Sequence, residues 1–388
     1  MSGKAALSNI LSAIVLSKKA FRLSRACPLV VVPGRILVIP LRFIGDTVLS
    51  VPLLRALRQA FPEARLEVWV TTATQPLLSG CPYVDACVVE PRDWPGRLQA
   101  IRGAEVAFLL RKSVSMAVAL KLARVGTVVG YDSQRWPWGF CRWGLGVDVQ
   151  RPYPDETMPE RTQIQKNPDN HYRLHQATHH LGLLRAYGAQ KLGRDAMFPE
   201  AQPPMLELWP QAQDTAWAQA SLKQPGNAEN RPWAALHLSS TNPRKCLPQE
   251  AYVALLRHGQ QQGWQWLGIG ATQADRLALA ALAEQAGVPL RNMAAETTLS
   301  QTVALLCGVS CLVSIDSGPL HLAAAVGVSR ILGIYRGNAP QQWGALPAMG
   351  YDAPRFTAVC LPVSHLPPLD TVSGLLVEAF LSVSPCIS

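Results

Sequence analysis

No aspartate or glutamate occurs before Asp46, although Lys4, Lys18, Lys19, Arg22, Arg25, Arg35 and Arg42 do. Those seven cations supply most of a net charge of +10, so the excess belongs to the N-terminal half and not to the whole surface. A second basic stretch, Arg92 to Arg142, sets nine Lys or Arg against Asp93, Glu105 and Asp132. Such a half-chain suits either an anionic partner or a plain solvated basic face. Nucleic acid is not the expected partner, because no recognition helix, zinc finger or aromatic RNA-binding motif accompanies the charge.

Further absences narrow the chemistry. The chain has no Asp-x-Asp, which removes the usual way a transferase holds a divalent ion on a donor diphosphate. There is no Walker A run and no Gly-x-Ser-x-Gly, so neither a P-loop nor a nucleophile elbow is present. Gly268-Ile269-Gly270 starts like a dinucleotide fingerprint, but Gln273 stands where its third glycine belongs, which argues against a dehydrogenase. The nine cysteines are scattered without a Cys-x-x-Cys, as in reduced thiols of a cytosolic protein. His171, His175 and His179 are spaced by four, as helical metal ligands can be, but no further ligand motif accompanies them. Neither metal nor cofactor is expected. No apolar run reaches the ~18–20 residues that span a bilayer.

What remains is globular: 48% of residues are hydrophobic and 16% charged, which excludes a disordered chain. At 388 residues the chain exceeds one ordinary core, so two domains are expected. In residues 1–33, the apolar stretch Ala5–Leu16 is followed by Lys18, Lys19, Arg22 and Arg25. This is the reverse of a signal peptide. It reads as an amphipathic helix on an anionic membrane face or as a disordered leader.

From Arg35, short β-branched or leucine-rich runs alternate with helix-length segments. Strands are predicted near 35–40, 65–71, 86–90, 105–110 and 126–131, then near 234–238, 264–269, 311–315 and 330–334. Helices are predicted at 47–60, 113–124, about 170–187, 248–262, 274–286, 299–307 and 319–327. Alternating βα units imply parallel sheets covered on both faces, here two α/β doubly wound blocks. The expected organisation is a basic leader at 1–33, a first domain at 34–198, a connection at 199–232, a second domain at 233–345 and a tail at 346–388. Residues 132–172, rich in Pro, Trp and Arg, read as a long loop, and 345–368 as irregular. Asp370 is expected to cap a last helix over 371–381.

Three strand-to-helix junctions can carry chemistry. In Arg42-Phe43-Ile44-Gly45-Asp46-Thr47, Gly45 gives a tight turn and lets a substrate approach the backbone. Asp46 then lies at a helix start, where a carboxylate stays ionised and can act as a base, or it is an ordinary N-cap. In Asp316-Ser317-Gly318-Pro319-Leu320-His321, Pro319 suits a first helical turn. The exposed amides of that turn suit a diphosphate. His321 faces either ligand or core. In His237 to Lys245, the hydroxyls of Ser239, Ser240 and Thr241 with Lys245 suit phosphate oxygens, or form a polar surface loop.

Taken together, these three sites resemble glycosyltransferase family 9, the ADP-heptose:lipopolysaccharide heptosyltransferases. Arg35 to Asp46 and Val51 to Arg58 are similar to the family's opening strand and helix, and Asp316 to Ala325 to its Asp-Ser-Gly-Pro-x-His-x-Ala-Ala-Ala signature. Asn292 to Leu306 resembles the segment leading into that signature. The family's Lys-x-Trp-Pro is replaced by Lys245-Cys246-Leu247-Pro248. The resemblance implies a GT-B fold with two Rossmann-like domains facing a central cleft, donor bound by the second and acceptor by the first. It implies inversion without a metal, with Asp46 as general base. Ser239 to Thr241, Lys245, Ser317 to Leu320 and His321 would hold the donor phosphates beside Asp316, and Asp275 would stand near the nucleoside. The implied partners are an ADP-heptose-like donor and an anionic glycolipid acceptor at the inner face of the cytoplasmic membrane. A sugar-nucleotide epimerase of the same fold and a non-catalytic nucleotide-sugar-binding relative are the alternatives.

Overall fold

The computed structural model describes residues 32–132, 147–152, 175–192, 204–223 and 231–383. The leader apart from its last two residues, most of the Pro- and Trp-rich stretch, and His171 lie outside these residues.

Two sheets organise the described chain. The first holds β1 (Arg35–Ile39), β2 (Arg65–Val70), β3 (Ala86–Val89), β4 (Val106–Leu109), β5 (Thr127–Asp132) and β6 (Val149–Pro152). The second holds β7 (Trp233–His237), β8 (Gln265–Gly268), β9 (Leu290–Asn292), β10 (Cys311–Ile315), β11 (Arg330–Arg336) and β12 (Arg355–Leu361). All pairings are parallel. The orders are β3-β2-β1-β4-β5-β6 and β9-β8-β7-β10-β11-β12, the same doubly wound order twice. Central strands are buried on both faces: Leu37, Val38, Phe108, Leu236 and Val313 are fully covered. Their sequences therefore read as continuous apolar runs and not as alternation.

In this order the chain reverses direction between β1 and β4 in the first sheet, and between β7 and β10 in the second. Such switch points open a crevice outside the strands' carboxyl ends. All three candidate junctions follow one of these four strands.

The helices used below are α1 (Ile44–Leu49), α2 (Val51–Ala60), α3 (Trp94–Ile101), α4 (Val114–Leu122), α5 (Gln176–Tyr187), α6 (Ala212–Leu222), α7 (Val253–Gln261), α8 (Gln273–Ala286), α9 (Leu299–Cys307), α10 (Gly318–Ala325) and α11 (Leu369–Val383). The single helix expected over 47–60 is two. Pro52 has no N–H to continue the ladder, and Ser50 stands between α1 and α2 with its hydroxyl donating to Thr47 O at 2.7 Å.

Other expectations are corrected. Where a tail is expected over 346–388, β12 pairs with β11 over seven residues and α11 packs on β12 and α7. Asp370 lies inside the first turn of α11 and does not cap it. His175 is not on a helix face with His179. It is the N-cap of α5, where its Nδ1 accepts from Ala177 N at 3.2 Å, and its Nε2 stands 3.1 Å from Gly344 O. The fingerprint-like Gly270 serves packing, since a Cβ there would stand 2.4 Å from Asp275 Cβ. Among the described residues no helix is long and apolar enough to cross a membrane.

The described part of the connecting chain is fastened to both sheets' bodies. Leu206 N donates to Pro347 O at 2.9 Å, and Met349 N to Leu206 O at 3.0 Å. The next residue, Glu207, pairs with Arg55 and accepts from the Tyr83 hydroxyl at 2.8 Å. Trp209 meets Tyr83 edge-on at 5.7 Å. Further along, α6 packs on α9. Across the seam α1 packs on α10, and one buried apolar cluster runs from Ile36 and Leu53 to Leu312 and Leu320.

Candidate functional site

The site starts where β1 ends. Phe43, extended at φ −97° and ψ 154°, takes the N-cap of α1. Asp46 is therefore the third helical residue, and the N-cap reading of it does not hold. It is 9% exposed, and its Oδ1 has no hydrogen-bond partner. Burial, against its own backbone amide and the Lys245 ammonium, pushes its pKa up to about 6, and the Asp316 carboxylate adds a smaller push the same way. A carboxylate with this pKa is a stronger base than a solvated one, yet still ionised at neutral pH.

Opposite it, β10 delivers Asp316, 3% exposed. Its backbone N–H donates to Ile334 O at 2.8 Å, which ties it to β11. Its Oδ2 receives Lys245 Nζ at 2.7 Å and Asn338 Nδ2 at 2.6 Å. Lys245 Nζ also reaches Asp316 O at 3.3 Å. Lys245 ends the single turn Pro243–Lys245, capped by the Asn242 side chain on Arg244 N at 3.1 Å. The loop after β7 is thus folded so that its lysine meets the carboxylate of β10.

Ser317, extended at φ −160°, begins α10 and makes no side-chain cap. Its hydroxyl turns back to the sheet, 3.2 Å from Ile315 O and 3.2 Å from His237 Nδ1. His237 also stands 3.3 Å from the Ser314 hydroxyl and, through Nε2, 3.3 Å from that of Ser239. Burial lowers its pKa to about 4, although Asp275 pulls upward. This neutral imidazole joins the β7 loop to the start of α10. Gly318, Pro319 and Leu320 follow, the last wholly buried.

His321 resolves as a seam residue. It is 3% exposed with Nδ1 unpartnered, and burial, then Lys245, depress its pKa to about 4. A Cβ on Gly45 would stand 2.6 Å from His321 Cδ2, and a Cβ on Gly318 would stand 3.0 Å from Ile44 Cβ. Both glycines are needed because the two helix starts abut.

Ser240 accepts from Asn242 N at 3.2 Å, and Thr241 is exposed beside it. Asp275, at the start of α8, borders this centre on the side of Ser239 and His237. Its Oδ2 accepts from Ala271 N at 2.9 Å, and from Thr272 N and the Thr272 hydroxyl at 2.8 Å each, a capping box. Burial raises its pKa, but bonds from Ser239 and Thr272 outweigh this and hold it below the usual range. Among the described residues no group of three or more His, Cys, Asp or Glu is placed to hold a metal ion.

The sequence profile of glycosyltransferase family 9 (heptosyltransferase) matches residues 174–370, just over half the chain and all of the donor-side motifs above. The chain belongs to glycosyltransferase family 9. It is therefore a glycosyltransferase, and its paired doubly wound sheets are a GT-B fold. It is 27% identical over 316 residues to lipopolysaccharide heptosyltransferase 2 of Escherichia coli K12, covering 79% of this chain and 84% of the relative. Its fold is similar to a family 9 glycosyltransferase of Veillonella parvula (TM-score 0.68, 15% identity, 90% of this chain and 97% of the other). It is also similar to the E. coli ADP-heptose LPS heptosyltransferase II (TM-score 0.63, 22% identity, 89% and 99%).

For this family 9 enzyme, sequence reading passed over two residues of the centre. Asn338 follows β11 at the turn where Gly337 has φ +96°; a Gly-Asn pair after a β-strand was the available signal. His237 lay within a run already singled out, but its role as a hub depends on contacts 77 and 80 residues away in sequence.

Proposed function

We propose that this enzyme transfers a heptose, or a related sugar, from an ADP-sugar to a hydroxyl of an anionic, lipopolysaccharide-core-like glycolipid, with inversion and without a metal. The observation that carries the reading is the buried, proton-attracting Asp46 facing the Lys245–Asp316 pair across the seam. Asp46 takes the proton of the acceptor hydroxyl as its oxygen attacks the anomeric carbon. The bond from that carbon to the diphosphate breaks on the opposite face, and its electron pair goes to the phosphate oxygen. Lys245 and the first turn of α10, from Ser317 to His321, meet the charge that develops there. Ser239, Ser240 and Thr241 line the same loop as Lys245. Asp275, held by its capping box, stands toward the nucleoside. The first domain carries the acceptor, the second the donor. The working place is the cytoplasmic side of a membrane, reached peripherally.

The similarity to a lipopolysaccharide heptosyltransferase supports the sugar class. The absence of Asp-x-Asp in the sequence, with a lysine and a helix start in its place, supports independence from metal. Turnover with an ADP-heptose donor is accordingly expected to be unchanged by excess EDTA. Loss of activity on chelation, restored by a divalent ion, would sink that part.

The pH profile tests the base. Asp46 must be ionised to accept a proton, and its pKa lies near 6. The rate on free enzyme should fall as pH drops through about 6 and level off above about 7. An acid limb near pH 4, where an ordinary carboxyl titrates, would assign the proton transfer elsewhere.

A further inference from the structure

The charges of the centre do not balance. Asp46 and Asp316 are carboxylates, and Lys245 is the ammonium that acts on both. Asp275 adds negative charge on the side of Ser239 and His237. His237 and His321 stay neutral, buried as they are. The centre is therefore net negative before any donor arrives. A sugar diphosphate brings further negative charge, one on each phosphate. Like charges brought this close oppose binding, so a further cation has to face the phosphates. Lys245 is also partly engaged. Of the three N–H donors on an ammonium, one goes to Asp316 Oδ2 at 2.7 Å and one to Asp316 O at 3.3 Å.

The arginines around the second sheet's carboxyl edge differ in their partners. Arg276 pairs with Glu296 at 2.6 Å. Arg244 is exposed, where solvent and salt screen its charge. Arg336 is half-buried and ends β11. The pairing of Ile315 with Ile334 sets it one residue past the level of Asp316. Its Nη1 donates to Cys246 O at 2.9 Å, and its Nε to Pro362 O at 3.4 Å. Cys246 directly follows Lys245. Among the described residues Arg336 meets no carboxylate, and its Nη2 makes no hydrogen bond. Carbonyl oxygens orient a guanidinium without cancelling its charge. Two residues on, Asn338 holds Asp316 Oδ2 at 2.6 Å. The end of β11 is thus tied to both sides of the Lys245–Asp316 pair.

We infer that Arg336 is a second donor-binding residue, whose guanidinium meets the diphosphate beside Lys245 and makes the site select a diphosphate over a monophosphate. The planar fork of an arginine suits two neighbouring phosphate oxygens. The inference rests on the transfer reading and deepens it.

The test is calorimetric titration of the full chain with an ADP-sugar, ADP and AMP. R336Q is expected to weaken the ADP-sugar and ADP by about 10–30-fold, and AMP by less than about threefold. Adding R336Q to K245A should weaken ADP by a similar factor again, since two cations on the same phosphates act in parallel. Unchanged ADP affinity in R336Q overturns the inference. So does an effect of R336Q that vanishes in the K245A background, because the arginine would then only hold the turn that carries Lys245. K245A alone keeps the test decisive should R336Q not fold. With Arg336 in place it should still prefer ADP to AMP, and loss of that preference overturns the inference. A wild-type chain that binds no ADP-sugar removes the transfer reading, and this inference with it. Tight wild-type binding that R336Q leaves intact removes this inference alone.

Discussion

Asp46→Asn is expected to lower turnover by about 10²–10⁴-fold while leaving donor affinity nearly unchanged. Asparagine matches the carboxylate in shape but cannot take a proton. The variant is also expected to be more stable than the parent at neutral pH. The carboxyl's folded pKa, about 6, lies above its ordinary 3.8, so the folded state binds the proton more tightly than the unfolded chain does. Keeping Asp46 ionised thus costs stability above pH 6, at most about 2–3 kcal/mol for a shift of this size, and the cost fades as pH falls toward 4. Melting curves at pH 7.5 and pH 4 should show an advantage for Asp46→Asn only at the higher value. Wild-type-like turnover would remove Asp46 from the role of base, whatever the melting curves show.

Lys245→Ala is expected to weaken donor binding by about 10²-fold and to slow departure of the diphosphate as well. Calorimetric titration with an ADP-sugar checks the first effect; an unchanged dissociation constant would show that the phosphates sit elsewhere. The variant carries a stability penalty, because Asp316 is left buried with Asn338 Nδ2, at 2.6 Å, as its remaining side-chain donor. Lys245→Met combined with Asp316→Asn removes both charges and should recover most of the lost stability without recovering donor affinity. That separation distinguishes a lost phosphate contact from a loosened loop.

The parts of this fold legible in sequence are those whose residues share one environment. β1, β4, β7 and β10 are covered on both faces along most of their length, so each is a mainly apolar run, interrupted in β10 by Ser314. β9 is three residues long and half-buried throughout, too short for any period to register. β12 lies at the sheet edge, between Pro354 and Pro362, with four of its seven residues intermediate or exposed before the first buried one. Its prolines and mixed burial gave the appearance of loop. At the site, the residue types and their strand-to-helix placement were readable for Asp46, Lys245 and Asp316. The burial of Asp46 was not, because the cover is α10, supplied by the other sheet. Asn338 reaches Asp316 only because β10 and β11 are neighbours in register, a fact of pairing that no local pattern carries.

The abutment of Gly45 and Gly318 has a consequence for protein engineering. The two motifs are far apart in the chain but form one fitted joint, with α1 and α10 as its two faces. A chimaera that takes its first sheet from one relative and its second from another inherits half of this joint from each parent. The crossover is best placed in the segment around Leu206 and Glu207, which clasps both bodies. Compatibility of the parents is then judged at two side chains, those of Ile44 and His321, before overall sequence identity is considered.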